Sequence, residues 1–114
     1  MIDLDKMAEE HKKLFPNATL ESQVWKLEEE ITEWSHTKNY EDGLREIADI
    51  VIVCGGLLRW CPALARNISY HFVDEPRCEV YGGREAIEKE VNRKWQINLK
   101  RKWEWNGKTY HHVD

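Results

Sequence analysis

Two acidic pairs of the same spacing, on either side of a short polar turn, constrain the fold of this chain more than any other feature. The first pair lies within residues 20–37 and the second within residues 41–59, with the turn at residues 38–40. In both segments apolar residues recur at steps of three and four, the period of a helix that buries one face. Thr19 is a suitable N-cap for the first segment. The sequence therefore predicts two helices that fold back on each other.

The acidic pairs are placed to meet across this helical hairpin. Residues of an α-helix advance by about 100° each, so Glu30 and Glu33 share one side of the first helix, beside its apolar stripe. Glu46 and Asp49 are likewise one turn apart on the second helix. In a hairpin centred on the turn, Glu33 lies level with Glu46. Glu30 then lies level with Asp49, and we expect the four carboxylates to converge.

Four converging carboxylates need compensation for their charge. At separations of about 6 Å and an effective dielectric near 20, each pair repels by about 3 kcal/mol. Asp49 also precedes residues 50–54, which are apolar on every face and are predicted to be buried, where a carboxylate is costly. The acids must therefore take up protons or surround cations. A cage of oxygen ligands without His or Cys suits Mg²⁺ or Mn²⁺.

Two other interpretations of the acidic pairs exist. A helical di-iron site normally carries Glu-x-x-His on two of its helices, and neither Glu33 nor Asp49 is His, so this site is disfavoured. Glu-x-x-Glu is also common on solvated helix surfaces. The matched levels of the pairs and the apolar run after Asp49 favour metal binding over a solvated surface.

The remainder of the chain predicts a small all-α helical bundle with a short C-terminal β-hairpin. The length of 114 residues fits one domain spanning 1–114. Asn106-Gly107, between aromatic and β-branched residues, is a strong hairpin signal. Further helices are predicted at about residues 3–14, 62–72 and 84–102, with a loop at residues 73–83.

Charge and cysteine content narrow the class of protein. The net charge is −4, with thirteen acids against six bases in residues 1–58 and eleven bases against eight acids in residues 59–114. This asymmetry suits a site that holds a cation and its anion, although solvated helix faces would also produce it. The odd number of cysteines, without Cys-x-x-Cys, predicts reduced thiols rather than disulfides or a zinc site. With no signal-peptide pattern and no apolar run of membrane-spanning length, we expect a soluble, cytoplasmic protein with no membrane partner.

Basic and polar residues of the last helix are candidates for binding phosphate. Lys94, Asn98 and Arg101 follow at steps of four and three, so they share one helical face. Lys26 lies on the same side of its helix as Glu30. The alternative is that Lys94 and Arg101 pair with neighbouring acids on a solvated surface.

The aromatic content offers stacking surfaces for a nucleobase as well as core packing. Trp34 is predicted to belong to the core. His111 and His112 suit a phosphate contact and an exposed tail equally. The candidates for stacking, which the sequence does not rank, are Trp95, Trp103 and Trp105.

The acidic motifs resemble those of one enzyme family. Glu29-Glu30-Ile31-Thr32-Glu33, followed after twelve residues by Glu46-Ile47-Ala48-Asp49, is similar to the signature of the MazG-like, all-α nucleoside triphosphate pyrophosphohydrolases. The flanks agree as well, with Lys26-Leu27 before the acids and an apolar run after them. Residues 94–103 resemble, more weakly, the Lys…Asn…Arg segment of many small members of the family.

The resemblance implies a helical bundle that is a homodimer or homotetramer. It implies Mg²⁺-dependent cleavage of a nucleoside triphosphate, including deoxy or non-standard nucleotides, into a nucleoside monophosphate and pyrophosphate. Carried over, Glu30, Glu33, Glu46 and Asp49 would be the Mg²⁺ ligands. Glu29 would bind a further ion or orient water, although its helical angle points it away from the other acids.

Two further classes of protein remain open at this stage. A non-catalytic helical interaction module would use the acids only as a solvated face. A single-stranded nucleic-acid binder would use the basic, Trp-rich C-terminal region, but the net charge of −4 disfavours it.

Overall fold

The chain forms an all-α bundle with a small C-terminal β-hairpin, as the sequence predicts. The computed structural model describes residues 2–74 and 76–113; Met1, Glu75 and Asp114, which fall within the predicted domain, lie outside the described residues. The elements in chain order are α1 (Leu4–Leu14), α2 (Leu20–Ser35), α3 (Tyr40–Leu57), α4 (Pro62–Val73), a short 3₁₀ helix (Pro76–Tyr81), α5 (Gly83–Lys100), β1 (Trp103–Trp105) and β2 (Tyr110–His112).

Each helix of the predicted α2–α3 hairpin begins with a side-chain cap. The Thr19 hydroxyl accepts from the Ser22 backbone N–H at 3.0 Å, and the Ser22 hydroxyl accepts in return from the Thr19 N–H. The Asn39 side chain accepts from the Asp42 N–H at 2.9 Å. Each cap satisfies a backbone donor that the first turn of a helix leaves unpaired. The two caps fix where the acidic helices begin and hence the level of the acids on each.

Helix α3 lies at the centre of the bundle and packs against α1, α2, α4 and α5. Ile47, Ile50, Val51, Cys54 and Leu57 have no exposed surface. This central position explains why the segment after Asp49 is apolar on nearly every face. It also places Asp49 at the boundary between the core and the acidic region.

The predicted loop at residues 73–83 is wrong in part, because a 3₁₀ helix occupies residues 76–81. The Tyr81 hydroxyl accepts from the Trp34 indole N–H at 3.2 Å, and Cys78 is buried. These tertiary contacts order a segment whose proline and glycines signal a loop. Gly82, at φ +93°, makes the left-handed turn into α5 that other residues rarely adopt.

The C-terminal hairpin pairs Trp105 with Tyr110 and packs against the end of α1. Gly107 has φ +95°, and the Asn106 side chain accepts from two backbone N–H groups of the turn. The Phe15 ring lies 4.9 Å from the Tyr110 ring, centroid to centroid. The hairpin thereby closes one side of a cleft above α2. No helix in the described ranges, 2–74 and 76–113, combines the length and apolarity needed to cross a membrane.

Candidate metal centre and adjoining cleft

Three of the predicted acids meet across the α2–α3 hairpin. Glu30, Glu33 and Glu46 each place one carboxylate oxygen within 4.8 Å of the others. Glu30 and Glu46 are half-buried, whereas Glu33 is exposed. The three therefore form a cup that is open to solvent on the Glu33 side and closed on the other. The predicted convergence of these three carboxylates is present in the structure.

The closed side of this cup contains oxygens that lack a partner. Glu30 Oε2 and Glu46 Oε2 are buried, and no donor from another described residue reaches either; a proton shared between the two carboxyl groups is the one hydrogen bond open to them without a metal. Burial, with the nearby charge of Asp49 adding to it, raises the pKa of Glu30 to about 9. Burial also raises the pKa of Glu46. Unsatisfied buried acceptors of this kind are rare in folded proteins and fit a cation that the carboxylates would hold.

Asp49, the fourth predicted ligand, has a cationic partner from the last helix. Lys94 Nζ donates to Asp49 Oδ2 at 2.9 Å and to the Arg45 carbonyl oxygen at 3.1 Å. Burial still raises the pKa of Asp49, with the Lys94 contact acting in the opposite direction. Lys94, predicted to bind phosphate, is thus directed at an acid in this structure. Asp49 is close enough to Glu30 to act on its ionisation but stands apart from the cup of three glutamates.

Glu29 lies where its helical angle predicts, away from the other acids. Its side chain is exposed, and one carboxylate oxygen is 4.0 Å from Lys26 Nζ. Nothing in this arrangement assigns Glu29 to the cup of glutamates.

A cleft of about 330 Å³ adjoins the acids. Glu30 and Asp49 line one end of it, so the acidic residues face into the same space as the candidate ligand-binding groups. Three of the predicted phosphate-binding residues also line it, namely Lys26, Asn98 and Arg101. Helix α5 ends at Lys100, two residues before the predicted Lys102, and Arg101 follows in extended conformation with φ −78° and ψ 158°.

The aromatic candidates divide between the cleft and the core. Trp95 and Trp103 line the cleft, together with His111 and His112, which are both largely exposed. Trp34 is half-buried and packs edge-on against Phe72 with centroids 5.1 Å apart, as its predicted core role requires. Trp105 packs against Tyr110 on the hairpin and is not among the described residues that line the cleft.

The sequence did not predict His11, a buried polar residue that lines the cleft. Arg59 donates to His11 Nδ1 at 3.1 Å, and since a guanidinium can only donate, Nδ1 must be an acceptor. Burial, with the Arg59 charge adding to it, lowers the pKa of His11 to about 4. The imidazole is therefore neutral, carries its hydrogen on Nε2, and is hydrogen-bonded to Gln23. The one sequence signal for it is a histidine four residues after Met7 on the apolar face of α1.

Gly56 is the reason that His11 and Gln23 can lie against α3. A β-carbon at residue 56 would lie 2.5 Å from His11 Nε2 and 2.6 Å from Gln23 Oε1. Only glycine leaves room for both side chains at this crossing of helices.

Comparison of the chain with protein-family models, with curated proteins and with solved structures gives no significant match to any of them.

Proposed function

We propose that this chain is a Mg²⁺-dependent nucleoside triphosphate pyrophosphohydrolase of the MazG-like kind. The observation that carries the proposal is the pair of buried carboxylate oxygens of Glu30 and Glu46, which receive no donor from other described residues, beside a cleft that Lys26 and Arg101 also line. Carboxylates that can hold a cation and basic side chains that can bind phosphates then face the same space. A metal–triphosphate complex needs both.

The residues available to hold the metal are the three glutamates of the cup, with Asp49 as a fourth ligand once Lys94 turns to another anion. A bound Mg²⁺ would supply charge neutralisation for the phosphates and acidify a water molecule. Oxygen-only ligands and a site open on the Glu33 side suit this ion, which keeps several waters when bound.

The cationic residues of the cleft would position the phosphates. Lys26 precedes the acids on α2, and Arg101 approaches from the end of α5. Lys94 would join them by turning from Asp49, which lines the cleft and lies 2.9 Å from the Lys94 ammonium. In the proposed reaction water attacks the α-phosphorus, the bond to the bridging oxygen breaks, and pyrophosphate leaves from the nucleoside monophosphate.

The experiment is a panel of nucleoside triphosphates and diphosphates, incubated with Mg²⁺ or with a chelator, in which chromatography separates the products. We expect monophosphate and pyrophosphate from triphosphates, and no turnover without metal. Diphosphate with phosphate as products would contradict the proposed cleavage position. Absence of both turnover and a Mg²⁺-dependent thermal shift would favour the non-catalytic interaction module.

A matched pair of variants assigns the activity to the cup of glutamates. Glu33→Gln removes one ligand charge at nearly constant shape, and we expect turnover to fall by roughly a hundredfold or more while the helical fold remains. Glu28→Gln makes the same change at an exposed position outside the cup and should leave turnover unchanged. Full activity in the Glu33 variant would remove Glu33 from the ligand set.

The oligomeric state and location belong to the same proposal. We expect a homodimer or homotetramer, which light scattering of the purified chain would test. A cytoplasmic location fits the three cysteines, all of which are free thiols.

A further inference from the structure

The hydrogen bonds around the Gln23 side chain fix the orientation of its amide. The Ser22 hydroxyl donates to the Thr19 carbonyl oxygen at 2.8 Å, so it can only accept from Gln23. The His11 ring carries its hydrogen on Nε2 and can only donate to Gln23. Both neighbours independently require the amide oxygen toward His11 and the amide nitrogen toward Ser22.

This orientation leaves Gln23 with donor capacity that the described residues do not use. The amide nitrogen carries two hydrogens, and its one acceptor among the described residues is Ser22 Oγ, at the long distance of 3.5 Å. Gln23 is 8% exposed and lines the cleft. A nearly buried N–H donor with spare capacity, on the wall of a cleft, is a recognition group for an acceptor on a ligand.

The position of Gln23 along α2 relates it to the acids. Seven residues separate Gln23 from Glu30, which is close to two helical turns, so both lie on one face about 10 Å apart along the axis. Lys26 lies between them and also lines the cleft. A nucleotide laid along this face, with its phosphates near Lys26 and Glu30, brings the edge of its base to Gln23.

The surroundings of Gln23 suit a flat ring. Phe15, Trp103 and Tyr110 line the same cleft, and aromatic faces stack on nucleobases with little regard for their identity. Stacking therefore supplies affinity for any flat ring, and a polar contact adds affinity for a base that carries an acceptor on this edge.

We propose that Gln23, held by His11 and Ser22, binds the nucleobase by donating its amide N–H to an acceptor atom on the edge of the base. The carbonyl oxygens of thymine, uracil, guanine and cytosine and the ring nitrogens of adenine are such acceptors, whereas the fluorine atoms of difluorotoluene, a nonpolar isostere of thymine, accept poorly. The inference rests on the proposed function for the placement of the phosphates. It extends that function by naming the residue that contacts the base.

The test is calorimetric titration, with Mg²⁺ present, of deoxynucleoside α,β-imidotriphosphates, which bind without being cleaved between the α- and β-phosphates. The wild-type chain should bind the thymine compound roughly ten- to a hundredfold more tightly than the difluorotoluene compound, since the latter leaves the buried donor unpaired. Equal affinity for the two compounds, or no binding of either, would overturn the inference.

Two variants test whether Gln23 makes this contact with the base. Gln23→Glu keeps an acceptor for His11 but replaces the donor with a carboxylate, so thymine affinity should fall roughly tenfold or more and the affinity for the difluorotoluene compound should fall less. Gln23→Met removes the donor without adding charge and should make the two affinities similar. Gln96→Glu makes the matched change at an exposed position outside the cleft and should alter neither. Circular dichroism verifies that each variant is folded, and an unchanged thymine preference in both Gln23 variants would refute the assignment.

The outcomes also separate this inference from the proposed function. A base preference that follows Gln23, without cleavage of any triphosphate, would refute the proposed reaction and leave the base site standing. Cleavage of triphosphates with a base preference that ignores Gln23 would do the reverse.

Discussion

Lys94 compensates Asp49 across the bundle, with 2.9 Å between the ammonium nitrogen and the nearer carboxylate oxygen. The side chains of both are less than one-third exposed, and they come from the last helix and from α3. The pair ties the acidic hairpin to α5. It does not include any of the three glutamates in the cup.

Loss of this cation should destabilise the metal-free protein. In Lys94→Met the Asp49 carboxylate stays half-buried without a partner, beside other acids. We expect the free energy of unfolding to fall by about 1–3 kcal/mol, less than for a fully buried pair because both groups retain contact with solvent. Urea unfolding in the presence of a chelator measures the change.

Lys89→Met is the control for that substitution, since Lys89 is exposed on the same helix. It should change the unfolding free energy by less than about 0.5 kcal/mol. Saturating Mg²⁺ should restore part of the stability that Lys94→Met removes. Equal stability of the two variants would show that the ion pair contributes nothing.

Glu30 should make the stability of the metal-free protein depend on pH. Its pKa is raised from 4.5 to about 9, so the folded state holds a proton that the unfolded state has released. Stability therefore falls as pH rises from about 4.5 towards 9. Glu30→Gln removes this loss, and at about pH 8 we expect the variant to be more stable than wild type by at least about 1 kcal/mol.

Urea unfolding of both proteins over a pH series, with chelator present, tests this expectation. The two curves should converge near the ordinary pKa of a glutamate and separate as pH rises. Glu28→Gln, at an exposed neighbouring position, should run parallel to wild type. Parallel curves for Glu30→Gln and wild type would contradict the buried, uncompensated state of Glu30.

Below about pH 6.5, His11 should make the free energy of unfolding increase with pH, opposite to the effect of Glu30. The folded pKa of His11 is lowered from 6.5 to about 4, so between these values the unfolded state binds the additional proton. Stability is then lost as pH falls from 6.5 to 4, by about 3 kcal/mol at most for this group. His11→Gln should lack this loss, whereas His36→Gln, at an exposed position, should retain it. The same acid-side slope in wild type and His11→Gln would show that His11 titrates normally.

Removal of the Tyr110 hydroxyl should weaken the contact between the hairpin and the loop after α1. Tyr110 Oη accepts from the Asn17 backbone N–H at 2.9 Å. Tyr110→Phe should lower the unfolding free energy by about 0.5–1.5 kcal/mol and accelerate hydrogen exchange at the Asn17 amide. Tyr70→Phe, on an exposed ring, should leave that amide unchanged. Unaltered exchange in Tyr110→Phe would mean that the hairpin does not hold the loop.

The helical hairpin and its acids could be predicted because local rules determine them. Periodic apolar residues, side-chain caps and a short turn fix α2 and α3, and the level of each acid then follows from helical geometry. The convergence of Glu30, Glu33 and Glu46 follows from these local rules and does not depend on contacts with distant parts of the chain.

The features that sequence reasoning missed depend on contacts between distant residues. Lys94 looked like a phosphate ligand because its spacing to Asn98 is visible, whereas its contact with Asp49 spans 45 positions. Ordering of residues 76–81 depends on Trp34, which meets Tyr81 across 47 positions. The relay from Arg59 to His11 spans 48 positions and has no motif.

The cleft has consequences for the order in which the molecule is assembled. The end of α1 and the hairpin both line it, and the two are joined by the Asn17–Tyr110 hydrogen bond although these residues are separated by 93 positions. Synthesis proceeds from the N-terminus, so the acidic helices can gather their carboxylates while the hairpin is still inside the ribosome. The pocket beside them is completed only when β2 docks. A chain stalled before Tyr110 would carry the cup of glutamates without the strand that completes the lining of the cleft.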